Sequence, residues 1–186
     1  MTAAGVDRVM TMDLHADDLA ALLTALGIES AHIAGISYGG EVAQAFALQY
    51  PVRVRSLILA DTVSEVRPAL RTIIHSWLDA AREGNAEAFF NATMPWNFSA
   101  QFMAANTKLL KDARGRYDLL DYPAVVRLCE CFLKVDFTTR LGEIKTPTCI
   151  IVGALDLLKG PEYAAILKQH ISQAELHSLP GAGHAS

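Results

Sequence analysis

The sequence predicts an α/β fold in which a mostly parallel sheet of about four strands has helices on both faces and carries a helical insert. Short apolar runs typical of buried parallel strands alternate along the chain with longer stretches of helical periodicity. At 186 residues and 52% hydrophobic composition, the chain can bury one core of ordinary domain size. We therefore assign residues 1–65 and 137–186 to a core and residues 66–136 to the insert.

A sharp turn around a serine ends the first predicted strand. Ala31–Ala34 is an apolar run, the sequence Gly-Ile-Ser-Tyr-Gly follows at residues 35–39, and residues 40–48 are rich in good helix formers. A serine held between a strand and a helix adopts a strained backbone, and small residues two positions away on either side let the two elements approach. The motif predicts Ser37 as a nucleophile and the Tyr38 N–H, at the positive end of the helix, as one oxyanion-hole donor.

The second apolar run, residues 54–61, predicts the next strand, and a long segment of helical periodicity follows it. This insert is rich in aromatic and methionine side chains. Two interpretations are open: these side chains pack the insert against itself and the sheet, or some of them line an apolar substrate pocket. Pro95 is predicted to interrupt the helical pattern. The side chains that flank it are predicted to lie nearest to substrate: Met94, Trp96 and Phe98.

Two further strands are predicted near the carboxyl end of the chain. Residues 146–156 are a proline-containing apolar run ending in Asp156, and residues 174–179 alternate before a glycine-rich loop that carries His184. Ser37, Asp156 and His184 therefore follow three strand ends, which is where an open α/β sheet places ligands and chemistry. This order predicts a nucleophile, an orienting acid and a base.

Other residues compete for the roles of base and acid. The remaining histidines fall on predicted helices, in or beside predicted strands, or in the insert: His15, His32, His75, His170 and His177. None of them follows a strand on a glycine-rich loop, so His184 is preferred as the base. Asp61 also ends a strand, but a turn or helix-capping role explains it equally well. The residue order favours Asp156, and Asp61 remains the alternative acid.

Composition narrows the expected partners and setting. The formal net charge of −4 argues against nucleic-acid binding. The densest basic cluster has the helical spacing of a solvated face: Lys108, Lys111, Arg114 and Arg116. We expect no metal and no cofactor; Cys129 and Cys131 lack the further ligands of a zinc site, and Cys149 lies in a predicted core strand. Free thiols and the lack of a leader-like or membrane-spanning run predict a cytoplasmic protein without membrane partners.

Together these motifs resemble the α/β-hydrolase superfamily, and in particular small serine hydrolases similar to 3-oxoadipate enol-lactonases and carboxylesterases. The resembling stretches run nearly end to end along the chain: residues 17–28, 35–40, 57–62, 147–156 and 180–184. The resemblance implies a Ser37, Asp156 and His184 triad, and a chain that lacks the usual N-terminal strands and C-terminal helix. The family's early His-Gly-type loop, which supplies a second oxyanion donor, has no counterpart, because the sequence contains no His-Gly dipeptide.

The triad order and the resemblance favour a serine hydrolase that cleaves small carboxylic esters or lactones through an acyl-enzyme intermediate. A serine nucleophile disfavours the dehalogenase and epoxide hydrolase activities that the superfamily performs with a carboxylate nucleophile. The alternative is a truncated, catalytically weak scaffold that acts in ligand binding or self-association. Without preceding strands, the predicted strand that ends at Ser37 becomes an exposed edge of the sheet. We therefore expect a homodimer or a larger homo-oligomer.

Overall fold

A four-stranded parallel sheet forms the centre of the structure, a computed structural model that describes residues 9–185. Its strands are β1 (Ala31–Ile36), β2 (Val54–Ala60), β3 (Thr148–Gly153) and β4 (Glu175–Leu179). Each strand pairs in parallel with the next one along the chain, which gives the order β1-β2-β3-β4. The predicted α/β class and the predicted parallel sheet of about four strands are confirmed.

Helices precede, connect and interrupt this strand sequence. They are α1 (Met12–Ala25), α2 (Tyr38–Gln49), α3 (Pro68–Arg82), α4 (Ala86–Asn97), α5 (Ala100–Ala105), α6 (Thr107–Tyr117), α7 (Tyr122–Phe132) and α8 (Pro161–His170). None of the helices in the described part of the chain is long and apolar enough to cross a membrane.

The helices α3 to α7 all lie between β2 and β3. An isolated antiparallel bridge between Glu65 and Asp136 joins the two ends of this segment. The division into a core of residues 1–65 and 137–186 and an insert of residues 66–136 stays a prediction, and residues 1–8 and 186 of that core lie outside the described part. The bridge means that the helical segment leaves the sheet and returns to it at adjacent points.

Helix α4 runs through Pro95, where the sequence predicted an interruption. The helix starts firmly, because the Asn85 side chain accepts hydrogen bonds from two N–H groups of its first turn. Proline removes only the hydrogen bond to the carbonyl of Asn91, four residues earlier. Asn91 and Pro95 are both exposed, so water can reach that carbonyl, and the helix ends two residues after the proline.

One face of the sheet carries the packed core. Helix α2 contacts β1 and β2, while α8 contacts β3 and β4. The strands advance in one direction across the sheet, so right-handed crossovers bring both helices to the same face. The side chains buried on that face include Ile33, Leu57, Leu59, Ile150 and Val152.

The opposite face of the sheet is open at β1 and β2 within residues 9–185. His32, Ala34 and Ile36 of β1 point to this face and are exposed, as is Ile58 of β2. The two crossover helices α2 and α8 share the buried face.

Strand β1 and helix α2 approach each other closely on either side of Ser37. A Cβ atom on Gly35 would overlap the backbone of Gly39, and a Cβ atom on Gly40 would overlap the Thr62 side chain. A Cβ atom on Gly39 would meet nothing within 4 Å. The expectation that both glycines of the motif must be small therefore holds for Gly35 and is wrong for Gly39; Gly40 makes the second close contact.

This packing predicts different outcomes for two substitutions in the same turn. Gly35→Ala should lower the free energy of unfolding by about 1–3 kcal/mol or more, because the new methyl group overpacks a backbone contact. Gly39→Ala should leave it unchanged or raise it by up to about 1 kcal/mol, since alanine favours a helix more than glycine does. Urea denaturation measures both values. Equal losses of stability in the two variants would contradict the close approach at Gly35.

Candidate active site

Ser37 occupies a strained turn between β1 and α2. Its backbone has φ 51° and ψ −121°, in a region that residues with a side chain rarely adopt. Such a conformation costs on the order of 1–3 kcal/mol and persists only where its surroundings hold it. The Ser37 N–H donates to the Ala60 carbonyl at 2.9 Å, and the Gly40 N–H donates to the Ser37 carbonyl at 2.8 Å. The turn has the geometry predicted for a nucleophile elbow.

The structure brings together the three residues that the sequence predicted as a triad. His184 Nδ1 lies 2.8 Å from Asp156 Oδ2, and His184 Nε2 lies 2.7 Å from Ser37 Oγ. An ionised Asp156 accepts a hydrogen bond, so the imidazole proton belongs on Nδ1. Nε2 is then free to accept the hydrogen bond of the Ser37 hydroxyl. Ser37, His184 and Asp156 thus form one continuous chain of hydrogen bonds.

The loop after β3 holds Asp156 in its ionised form. Asp156 Oδ1 accepts from the N–H groups of Leu158 at 2.7 Å and Lys159 at 2.9 Å. Burial by itself raises the pKa of Asp156, but the hydrogen bond and charge of His184 and the two backbone N–H groups outweigh it. The pKa of Asp156 therefore lies below its ordinary value. The carboxylate keeps its charge and orients the imidazole.

Asp61, the alternative acid, lies beside this chain of hydrogen bonds. A carboxylate oxygen of Asp61, a carboxylate oxygen of Asp156 and an imidazole nitrogen of His184 all lie within 4.8 Å of one another. Burial raises the pKa of Asp61, the Gly153 N–H at 2.8 Å from its Oδ1 lowers it, and the neighbouring Asp156 raises it again, with a net increase. Asp61 and Asp156 are thus shifted in opposite directions. The geometry favours Asp156 as the acid that orients His184.

Tyr38 is the first residue of α2, so its N–H has no acceptor within the helix. This N–H follows Ser37 directly and belongs to the positive end of the helix dipole. The phenol of Tyr38 is held separately: its hydroxyl lies 2.9 Å from His15 Nε2, and the two rings meet edge to face. Burial raises the pKa of Tyr38, so the phenol remains neutral. The predicted oxyanion donor is the backbone group, and the side chain supports the turn.

A cavity of about 190 Å³ opens beside Ser37. Its lining is almost entirely apolar and comes mainly from α3, α4 and α7: Ile74, Trp77, Phe89, Val125, Leu128, Cys129 and Phe132, together with Tyr38, Leu158 and Lys159. An apolar cavity of roughly 150 Å³ is large enough to bind benzene. The cavity therefore has room for an apolar group about the size of one aromatic ring.

The predicted pocket residues are not among those that line this cavity in the described part of the chain. Met94 is buried, Trp96 packs against the main core, and Phe98 stacks on Phe102 with ring centroids 5.0 Å apart. Helix α4 turns Phe89, one turn or more before the proline, towards the cavity instead. Of the two interpretations of these aromatic and methionine side chains, packing of the helical segment describes the contacts of Met94, Trp96 and Phe98.

The carboxyl end of α4 still reaches the site through its backbone. The Ala185 N–H donates to the Asn97 carbonyl at 2.7 Å. Asn97 is the last residue of α4, and Ala185 directly follows His184. The end of the helix therefore anchors the loop that carries the imidazole, rather than contributing side chains to the cavity.

Sequence reasoning missed two polar groups in the cavity wall. Burial raises the pKa of Cys129 to about 11, so its thiol stays protonated at neutral pH. Lys159 is 3% exposed, and its Nζ forms an ion pair with Glu41 Oε2 at 2.9 Å. The available signals were weak: Glu41 directly follows the elbow glycines, and Lys159 follows Asp156 by three residues. Only the fold brings the pair together.

A family model described as the alpha/beta hydrolase fold matches residues 4–186. The chain therefore belongs to the α/β-hydrolase fold family, as the resemblance of its motifs implied. Among curated proteins, RutD of Azorhizobium caulinodans, which is named as a carbamate hydrolase, is 27% identical over 173 residues. The match covers 91% of this chain and 65% of RutD.

Solved structures give the same family. MGS-M2, an alpha/beta hydrolase enzyme from a Medee basin deep-sea metagenome library, has a TM-score of 0.92 and 32% identity, covering 97% of this chain and 68% of that protein. The enol-lactonase from Burkholderia xenovorans LB400 has a TM-score of 0.85 and 26% identity, covering 95% and 67%. The chain spans about two thirds of the length of these relatives.

Proposed function

We propose that this protein is a serine hydrolase that cleaves small carboxylic esters or lactones through an acyl-enzyme intermediate. The observation that carries the proposal is the continuous hydrogen-bonded chain from Ser37 through His184 to Asp156, beside an apolar cavity. The hydrolase names of RutD and of the enol-lactonase support the reaction class. We assign catalytic roles to the three residues on this basis.

In the proposed mechanism His184 Nε2 takes the hydroxyl proton as Ser37 Oγ attacks the substrate carbonyl carbon. The carbonyl oxygen becomes an oxyanion, which the Tyr38 N–H stabilises at the helix terminus. The protonated imidazole then donates its proton to the leaving oxygen, and the acyl group stays on Ser37. Water attacks this ester with His184 again as base, which releases the acid and regenerates the serine. Asp156 keeps Nδ1 protonated throughout and stabilises the imidazolium.

The Tyr38 N–H is the one oxyanion donor that we assign from the described residues. Loss of one such donor typically costs about 10²–10³ in rate. A site with a single donor would therefore be slow but active. The alternative is a catalytically weak scaffold that acts in ligand binding or self-association. Turnover that depends on Ser37 distinguishes the two functions, because only the hydrolase requires it.

The catalytic assignment predicts a graded series of variants in the hydrolysis of a short 4-nitrophenyl ester. Ser37→Ala and His184→Ala should abolish measurable turnover. Asp156→Asn should lower kcat by roughly 10⁴, because an amide favours the wrong imidazole tautomer. Asp61→Asn should have a smaller effect, since Asp61 does not make the hydrogen bond to His184 Nδ1.

Circular dichroism and urea denaturation of each variant control for loss of the fold. Turnover by Ser37→Ala at the wild-type rate would exclude the nucleophile and favour the scaffold alternative. A larger loss in Asp61→Asn than in Asp156→Asn would show that the acid is misassigned.

The cavity supports small, uncharged, apolar acyl groups as substrates. Leu128→Ala removes part of a side chain that lines the cavity and so enlarges the cavity. The variant should raise kcat/KM for a longer acyl chain relative to a short one, by roughly tenfold or more for each additional methylene that fits. Leu119→Ala is the matched control, since Leu119 is 85% exposed and does not line the cavity. Activity confined to emulsions of long-chain triglycerides, with none on soluble esters or lactones, would contradict this substrate class.

We also propose that the protein is a cytoplasmic homodimer or larger homo-oligomer. The three cysteines are free, which fits a reducing compartment. Strand β1 is an edge of the sheet within the described residues, and Ile36 at its end is 59% exposed. An exposed apolar edge favours pairing with a second copy of the same strand.

Light scattering at micromolar concentration should give at least twice the chain mass of 20.1 kDa. Ile36→Lys should shift the protein towards the monomer, because it places a charge on the proposed interface. Val52→Lys is the control: Val52 is 90% exposed but lies outside the strands. A monodisperse, well-folded wild-type monomer would overturn the proposed association.

A further inference from the structure

A fully buried ion pair lies next to the candidate triad and has no role in the mechanism above. Lys159 Nζ lies 3.0 Å from Oε1 and 2.9 Å from Oε2 of Glu41, and the two side chains are 3% and 0% exposed. The same Nζ stands 4.3 Å above the centroid of the Phe132 ring. An apolar pair of similar volume often stabilises a fold equally well. Stability alone therefore gives no reason for charges at this position.

Glu41 connects the nucleophile helix to the loop after β2. It lies in the first turn of α2, four residues after Ser37. Its Oε1 accepts hydrogen bonds from the Thr62 hydroxyl at 2.5 Å and from the Val63 N–H at 2.9 Å. These two partners directly follow Asp61. One carboxylate thus holds the start of α2 and the end of β2 in a fixed relation.

Lys159 connects the same carboxylate to the cavity wall and to the acid loop, which is the loop of residues 154–160 that carries Asp156. Its own N–H donates to Asp156 Oδ1 at 2.9 Å, so the backbone of Lys159 is part of the turn that holds the acid. Its side chain reaches Glu41 on α2, and its ammonium covers the ring of Phe132, which lines the cavity. Movement of the acid loop away from α2 would break these contacts together.

We propose that the Glu41–Lys159 pair is a positioning device that fixes the Asp156 loop against the nucleophile helix. The pair sets the distance between Asp156 and Ser37, which His184 must bridge with two hydrogen bonds, and it fixes the Phe132 wall of the acyl cavity. This role rests on the proposed hydrolase function. Neither residue transfers a proton or contacts the reacting atoms; both act through Asp156 and α2.

The test separates positioning from simple stabilisation by removing both charges at once. In Lys159→Met alone, Glu41 remains a buried charge without an opposite charge beside it, which is strongly destabilising. The double variant Glu41→Gln with Lys159→Met removes both charges at similar volume, and its urea midpoint should be close to that of the wild type. Its kcat should nevertheless fall roughly 10²-fold, because misplacement of a catalytic group by about 1 Å has this effect. KM should change less.

A matched control replaces an exposed ion pair of the same kind. Arg140 and Glu143 form a surface salt bridge at 3.1 Å, and Arg140→Met with Glu143→Gln should leave both kcat and the urea midpoint unchanged. A double variant of the buried pair with wild-type midpoint and wild-type kcat would overturn the proposal, since the pair would then be purely structural.

A second readout reports on position without requiring turnover. The His184 Nδ1–H that is hydrogen-bonded to Asp156 should give a far-downfield proton resonance by nuclear magnetic resonance, identified by its loss in Asp156→Asn. It should persist in the surface control and be lost in the folded Glu41→Gln, Lys159→Met variant. An unchanged resonance in that variant would contradict the positioning role. If the wild type shows the resonance but has no activity, the hydrolase proposal is overturned. The resonance of the double variant then still tests the positioning role of the Glu41–Lys159 pair.

Glu41→Gln alone is the second variant if the double substitution unfolds the protein. Its amide oxygen can still accept from Thr62 and Val63. Burial already lowers the pKa of Lys159 against the opposing effect of Glu41, so the amine can become neutral beside the amide. The variant should fold and give a weakened or shifted His184 resonance. A resonance identical to that of the wild type would count against the proposal.

Discussion

The close contact between β1 and α2 at Ser37 is the constraint on which the rest of the site depends. The backbone turns from strand to helix within one residue, at a φ that a side chain tolerates only under strain. Gly35 removes the Cβ atom that would prevent this approach. The same turn places the N–H of Tyr38, the first residue of α2, directly after Ser37 and puts Glu41 in the first turn of the helix. The proposed nucleophile, the proposed oxyanion donor and the proposed anchor of the Asp156 loop thus all depend on one backbone contact.

Charge around Ser37, His184 and Asp156 is organised in two layers that use carboxylates in different ways. Asp156 is stabilised as an anion by His184 and two backbone N–H groups, while its neighbour Asp61 has a raised pKa. Behind them, Glu41 is neutralised by Lys159 in a fully buried pair. Because each charge has its own partner, the cavity wall beside Ser37 stays apolar. The charge of Lys159, which lines the cavity, is compensated by Glu41.

Local sequence signals were sufficient to predict the parallel strands and the close approach of Ser37, Asp156 and His184. Ser37, Asp156 and His184 each follow a strand end in a segment with its own turn chemistry, and parallel pairing then brings the ends to one edge of the sheet. The cavity lining was not predictable in this way. It depends on which faces of α3, α4 and α7 meet, and helical periodicity marks several faces as apolar at once; Phe89 rather than Trp96 turned out to face the site. The Glu41–Lys159 pair likewise has no local signature, because its members are far apart in the chain.

The most direct measurement is labelling of the folded protein with a serine-directed fluorophosphonate, followed by mass spectrometry of the adduct. A strained serine that is hydrogen-bonded to His184 beside a helix N-terminus should be the activated hydroxyl of this chain. One adduct per chain at Ser37, absent in Ser37→Ala, is the predicted result. An adduct on another serine, continued labelling of Ser37→Ala, or a folded wild type that does not react would contradict the assignment of Ser37 as the nucleophile.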